Sequence, residues 1–163
     1  AVGEAERAMV ELITAAIGKA KRIVDLFAGI GTFSLPLARI GRVLAVDSDK
    51  ASLQSLADAV RKAQGLKPVE TKLRDLFREP LSVKELEGFD AAVFDPPRAG
   101  AREQVAQLAG SKVPRVAYIS CHPSSWARDA ATLVAGGYRL VELRPVGQFR
   151  WSTHVELASL FVR

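Results

Sequence analysis

Apolar positions along the chain fall into two rhythms that alternate. Residues 2–20 carry Met9, Leu12, Ile13, Ala16 and Ile17 at helical spacing, and residues 22–27 are a short apolar run of strand length. The pattern then predicts a helix over 32–40, a strand over 42–46, a helix over 50–64 and a strand over 68–73. After these come a strand over 89–94, a helix over 101–108, a strand over 115–120 and a helix over 123–135. Two strands over 139–145 and 155–163 close the chain. Punctuation agrees with the rhythm. Gly65 suits a helix stop, Pro36 falls near a first turn, and Pro123 opens a helix where its fixed φ and missing N–H are harmless.

Five strands separated by helices imply an α/β, mostly parallel, doubly wound sheet. Only a loop separates the last two strands, too short for a parallel crossover, so the final strand is expected to return antiparallel. This arrangement resembles the Rossmann-like class I S-adenosylmethionine-dependent methyltransferase architecture.

Composition narrows the setting. The 163 residues suit one domain, 1–163, and the 48% hydrophobic and 25% charged fractions are those of a globular chain. No apolar run approaches the roughly 20 residues of a membrane span, and no secretory signal is visible. The chain does not begin with Met and opens straight into a helical pattern, so it reads as a domain cut from a longer protein. A single cysteine excludes an internal disulfide framework and a multi-thiolate metal site, and fits a reducing, cytoplasmic setting. The net charge of +5 is compatible with a polyanionic partner or with a merely solvated basic face. The one modest basic cluster is Lys19, Lys21 and Arg22.

Sheets of this kind bind ligands beyond the carboxyl ends of their strands. Asp25 to Gly31, Asp47, Asp75, Asp95 to Arg98, and Cys121 fall there. In Asp25-Leu26-Phe27-Ala28-Gly29-Ile30-Gly31 the glycines let a ligand approach the backbone. Ser34 stands where a dinucleotide fingerprint needs a third glycine, and Asp25 would repel a pyrophosphate but attract an ammonium. The turn therefore suits S-adenosylmethionine. Asp47 can accept from both ribose hydroxyls, although Asp47, Ser48 and Asp49 could each cap the next helix. Asp75 suits the adenine amino group, or simply a turn. Asp95-Pro96-Pro97-Arg98 makes a stiff loop, because each proline fixes φ and restricts its neighbour.

Cys121 meets the helix that opens at Pro123, and a helix N-terminus stabilises a thiolate. A lone cysteine is more often a small buried residue, but its position on the ligand side points to a nucleophile. Uracil C5 attacks a methyl sulfonium only after a thiolate has added to C6, and a base must then remove the C5 proton. Glu156, two positions from His154 on one strand face, is the candidate base; the alternative is an exposed strand glutamate paired with an arginine.

These residues resemble the RNA uracil-5 methyltransferases that act on 23S ribosomal RNA and transfer RNA. The matching stretches are Asp25 to Leu35, Asp95 to Gly100, Ile119-Ser120-Cys121-His122-Pro123 with Arg128-Asp129, and His154-Val155-Glu156. The resemblance implies Cys121 as nucleophile and Glu156 as base. It implies cofactor contacts at Phe27, Thr32, Asp47, Asp75 and Asp95, beside Asp25, Gly29 and Gly31. Pro96, Arg98, His122 and His154 are the candidate substrate contacts. RNA is the expected partner, ribosomal over transfer by family analogy, with no membrane and no metal. Family members usually have Asn where His122 stands and often Asn where Thr32 stands, and Gln148-Phe149-Arg150-Trp151 replaces a Phe-Pro pairing. The N-terminal OB-like domain and cluster-binding domain usual in the family are not in these residues, so weak RNA affinity is expected.

Two other enzyme readings stay open. Amino-group methyltransferases also end this strand in Asp/Asn-Pro-Pro but follow it with an aromatic, where Arg98 stands here. RNA cytosine-5 methyltransferases use two cysteines. A non-catalytic RNA- or cofactor-binding module is the alternative from another class. A nicotinamide dehydrogenase is disfavoured by Asp25 and Ser34.

Overall fold

In the computed structural model, residues 2–146 and 156–163 are described. Helix α1 (Val2–Ile17) leads into strand β1 (Arg22–Leu26), a four-residue helix α2 (Ser34–Leu37), strand β2 (Arg42–Asp47) and helix α3 (Lys50–Lys62). Strands β3 (Val69–Leu73) and β4 (Ala91–Phe94) follow, then α4 (Arg102–Ala109), β5 (Arg115–Ser120) and α5 (Pro123–Ala135). Strands β6 (Arg139–Val146) and β7 (Glu156–Val162) complete the order.

All seven strands form one sheet in the order β3-β2-β1-β4-β5-β7-β6. Pairs among β1 to β5 are parallel, whereas β7 pairs antiparallel with both β5 and β6. The expected antiparallel return is therefore found, with β7 inserted between β5 and β6. The order reverses between β1 and β4, which is where a doubly wound sheet opens a crevice at its carboxyl edge.

Strand periodicity explains the two packed layers. One face of the sheet carries Val24, Leu26, Phe94, Val116 and Tyr118, buried beneath Val105 and Leu108 of α4 and Leu133 of α5. The other carries Ile23, Val43, Val93, Ala117 and Ile119, beneath Met9, Ile13 and Ile17 of α1 and Leu37 of α2.

Three expectations need correction. Helix α1 stops at Ile17, short of residue 20, because Gly18 turns left-handed at φ 66°. The helix expected over 32–40 is regular only over Ser34–Leu37. Beyond it, Arg39 and Ile40 bond three residues back, a tighter turn than an α-helix. Residues 74–90 join β3 to β4 through turns and not through a helix, pinned by buried Leu76, Leu81 and Leu86.

Candidate active site

The site is built from what each strand delivers at its carboxyl end. After β1 the chain must turn sharply, and it does so through left-handed residues: Phe27 at φ 60°, Gly29 at 56° and Gly31 at 93°. Phe27 is the one non-glycine residue among the described residues with positive φ, a strained conformation held in place by its surroundings. Its ring packs on Phe77, centroids 5.3 Å apart. A Cβ on Gly31 would sit 2.3 Å from Leu56 Cδ1, so α3 closes against the turn there. At Gly29 a Cβ would meet nothing within 4 Å, leaving that side of the turn open to a ligand.

Beneath the turn lies Asp25, 1% exposed on the same sheet face as Ile23. Ser34 Oγ donates to its Oδ2 at 2.5 Å, while its buried Oδ1 has no partner among the described residues. Burial pushes the Asp25 carboxyl up to about 7, the Ser34 bond opposes that shift, and the negative charges of Asp95 and Asp47 add to it. A buried carboxylate oxygen without a donor, crowded by two more carboxylates, is a strong acceptor for a cationic or N–H-bearing group.

Asp47 ends β2 with one oxygen accepting from Gly29 N at 2.9 Å and the other from Asp49 N at 2.8 Å. It thereby ties the glycine turn to the second strand. Capping of α3 falls to Asp49, which accepts from Ala51 N and from Ser52 Oγ, so Asp47 is not spent on the cap. Asp75 is exposed, and its Oδ1 accepts from Phe77 N in a local turn. This turn is the plainer of its two expected roles, and it also positions Phe77 against Phe27. Thr32 is half-buried just past Gly31.

The segment after β4 is held from one side. Asp129 of α5, 1% exposed, accepts from Ala101 N at 2.9 Å and from Tyr118 Oη at 2.6 Å. Ser125 Oγ donates to the Arg98 carbonyl at 2.8 Å, and Arg128 donates to Ala99 O at 2.9 Å while pairing with Asp129. Gly100 is required here, since a Cβ would lie 2.6 Å from Arg128 and 2.7 Å from Asp129. Pro96 is buried and Arg98 exposed. Asp95 is open to solvent on one side, yet crowding by protein, and then the charge of Glu156, push its carboxyl up to about 7.

Cys121 is half-buried one residue beyond β5. Ser120 Oγ bonds both the N–H and the C=O of His122 at 3.1 Å, fixing the turn that carries Cys121. His122 is the N-cap of α5, its Nδ1 accepting from Ser125 N. The β5–β7 register pairs Ser120 with Leu157 and Ile119 with Ala158. Continued by one residue, it sets Cys121 across from Glu156, while Asp95, one strand over, feels the Glu156 charge. A thiol, two coupled carboxyls and a carboxylate-lined turn thus share one sheet edge. His154 and the 148–151 segment lie outside the described residues.

Reading the sequence found the strand-end residues but gave no role to Ser125, Arg128 and Asp129. Arg128 and Asp129 stood in a matching stretch; what was missing was the knowledge that α5 packs over the loop after β4.

The model of the tRNA (uracil-5-)-methyltransferase family matches residues 3–163. An uncharacterized RNA methyltransferase of Agrobacterium fabrum is 54% identical over 160 residues, covering 98% of this chain and 38% of that protein. The 23S rRNA (uracil(1939)-C(5))-methyltransferase of Chromohalobacter salexigens is 39% identical over 144 residues, 88% of this chain and 30% of that one. Among solved structures, the Pyrococcus abyssi tRNA (uracil-54, C5)-methyltransferase in complex with S-adenosyl-L-homocysteine superposes with a TM-score of 0.83 at 28% identity. It covers 96% of this chain and 38% of that chain. The chain thus spans well under half the length of the curated relatives it matches. It carries the Rossmann-like class I methyltransferase fold and belongs to the tRNA (uracil-5-)-methyltransferase family.

Proposed function

We propose that this chain is the catalytic domain of an S-adenosylmethionine-dependent enzyme that methylates C5 of a uridine in RNA, with Cys121 as nucleophile and Glu156 as base. The single observation that supports the reading is the β5–β7 register, which ends at Ser120 and Leu157 and, continued by one residue, would bring Cys121 and Glu156 together near Asp95.

The cofactor fits the residues present. The partnerless Asp25 Oδ1, the open side of Gly29 and the cluster of Asp25, Asp47 and Asp95 suit a ligand with an ammonium and a sulfonium. Asp47 would receive ribose hydroxyls, Phe27 and Phe77 would flank the adenine near Asp75, and Thr32 would stand beside the amino-acid tail. When bound, S-adenosylmethionine supplies an electrophilic methyl group.

The chain's own groups prepare the acceptor. Cys121 Sγ bonds to C6 of the uracil, and the electron pair of the C5–C6 double bond moves into an enolate through C4 and O4. C5 becomes the nucleophile that a methyl sulfonium requires. Once C5 carries the transferred methyl group, Glu156 takes the C5 proton, the C5–C6 double bond re-forms, and the C6–S bond breaks to release the thiolate. Asp95 stands close enough to Glu156 that burial, and then the Glu156 charge, push its carboxyl up to about 7. Pro96, Arg98, His122 and His154 flank the uridine. Ribosomal RNA is the favoured substrate, by the resemblance to the 23S rRNA enzyme. A reducing cytoplasm suits a free Cys121.

The deciding experiment uses RNA containing 5-fluorouracil, whose C5 carries no removable proton. With cofactor, intact-mass analysis is expected to find a covalent protein–RNA adduct, and none with Cys121→Ala. With ordinary RNA, Glu156→Gln is expected to accumulate the adduct that wild type releases. Cofactor binding without any adduct would instead identify a binding module. Comparing methyl transfer into 23S rRNA and tRNA transcripts tests the favoured substrate.

A further inference from the structure

Each end of the sheet carries its own charge. Carboxylates collect where the parallel strands end. At the opposite end Arg22, Arg42, Arg115 and Arg139 each begin a strand, and Arg163 follows β7, which runs the other way. Three of these arginines have work inside the fold. Arg22 lies 4.7 Å over the Phe89 ring, Arg115 donates to Ala16 O, and Arg163 donates to Ala109 O, Ser111 O and Gly136 O.

Lys19, Lys21, Arg42, Lys67, Lys112 and Arg139 are different. All are exposed, and none makes a side-chain hydrogen bond or ion pair among the described residues. Glu70 lies beside Arg42 and Asp90 beside Lys19 and Lys21, and Asp90 is taken by the N–H groups of Lys21 and Arg22. Two hollows indent this end, about 320 Å³ beside Arg22 and Arg42 and about 670 Å³ beside Lys19, Lys21 and Arg115.

We infer that this strand-start end is a second RNA-binding face, which takes phosphates of the substrate RNA remote from the target uridine. The inference rests on the RNA substrate proposed above. The acidic catalytic edge repels phosphates, so within this chain the attraction that RNA needs falls to another face. The two ends are only about 17 Å apart, the length of a five-residue strand, which a folded RNA spans readily. The chemistry favours phosphate over a protein surface. Four of the six free cations are lysines, a residue depleted at protein interfaces and suited to phosphate as a point charge. Of the exposed large apolar side chains, Ile30, Leu73 and Phe77 lie at the catalytic edge and Val141 and Leu143 along β6, while Leu140 adjoins Arg139.

The test compares wild type with Lys19→Glu/Lys21→Glu/Arg42→Glu and, from the far side of the face, Lys112→Glu/Arg139→Glu. The first readout is fluorescence anisotropy of a labelled stem-loop RNA across a potassium chloride series. The triple variant is expected to weaken binding at least roughly tenfold and to flatten the log–log salt slope by about 2 to 3. Calorimetric binding of S-adenosylhomocysteine is expected to stay unchanged, which shows that the variant is folded.

The second readout separates the two ends. A trinucleotide centred on 5-fluorouracil is too short to reach both, so its adduct rate is expected to match wild type, while the stem-loop adduct shows a raised KM. Unchanged RNA affinity and salt slope in both variants would overturn the inference and leave this end solvated or docked to the rest of a longer protein. Equal loss with the trinucleotide would overturn it too. Absence of any adduct in wild type would sink the uridine chemistry alone, because the anisotropy comparison decides for or against the basic face without it.

Discussion

His122 follows the proposed nucleophile Cys121, where the family resemblance implies asparagine, and its contacts fit such an exchange. Its Nδ1 accepts from Ser125 N and so caps α5, a task an asparagine side chain performs equally well. The cap matters because the start of α5 also contributes Ser125, which holds the Arg98 carbonyl. His122→Asn is therefore expected to keep stability and adduct formation near wild type. His122→Ala is expected to lose about 1 kcal/mol in urea unfolding and to slow the adduct. Equal stability of the alanine variant and wild type would show that the cap carries nothing. At this scale much of the proposed site was legible, since Asp47, Asp95 and Cys121 close apolar strand runs and Asp25 stands in the run that leads into the glycine turn. The geometry was not. No local pattern says that Ser120 Oγ braces the turn around Cys121 or that Asp49, and not Asp47, caps α3.

At the scale of elements, the loop after β4 is stiff for two reasons. Its prolines restrict the backbone, and α5 grips it through Ser125, Arg128 and Asp129. Asp129→Ala leaves Ala101 N and the buried Tyr118 hydroxyl without their acceptor, so unfolding is expected to become easier by about 3 kcal/mol. Asp129→Asn keeps a carbonyl toward Ala101 N and is expected to recover part of that stability. If Asp129 positions Asp95 for the reaction, the asparagine variant still forms the adduct more slowly than its stability alone explains. The asparagine variant at wild-type rate would reduce Asp129 to a packing role. Elements with a clear period were readable in advance, and so was the antiparallel return of β7, because its connection is too short to cross over. The short helix α2 and the turns of 74–90 were not. Leu76, Leu81 and Leu86 are buried by tertiary packing and not by helical spacing. The clamp from α5 joins residues nearly thirty positions apart and exists only once the sheet is assembled.

Across the whole molecule, charge is sorted by sheet end, and the carboxylate end sets how stability responds to pH. Asp25 and Asp95 are both raised from 3.8 to about 7, Asp25 first by burial and Asp95 first by crowding and then by Glu156. A carboxyl raised in the folded state binds a proton that the unfolded chain has already released. Its stabilisation is complete below the unfolded pKa and fades as pH climbs through the folded one. Glu85 runs the other way, lowered to about 2 by its bond from Arg74, but its effect is confined to pH below about 4.5. In the cofactor-free chain the melting temperature is therefore expected to fall as pH rises from about 4 to about 7. Asp25→Asn, which removes the group with the unpartnered oxygen, is expected to flatten that fall. A cationic ligand reverses the preference, because it favours ionised carboxylates. S-adenosylmethionine is expected to bind more tightly with rising pH, by up to about tenfold per unit, levelling off above about 7. Calorimetry in buffers of different ionisation enthalpy would register the protons released on binding. Proton release that persists undiminished in Asp25→Asn would assign the coupling to Asp95 and leave Asp25 as a structural acid.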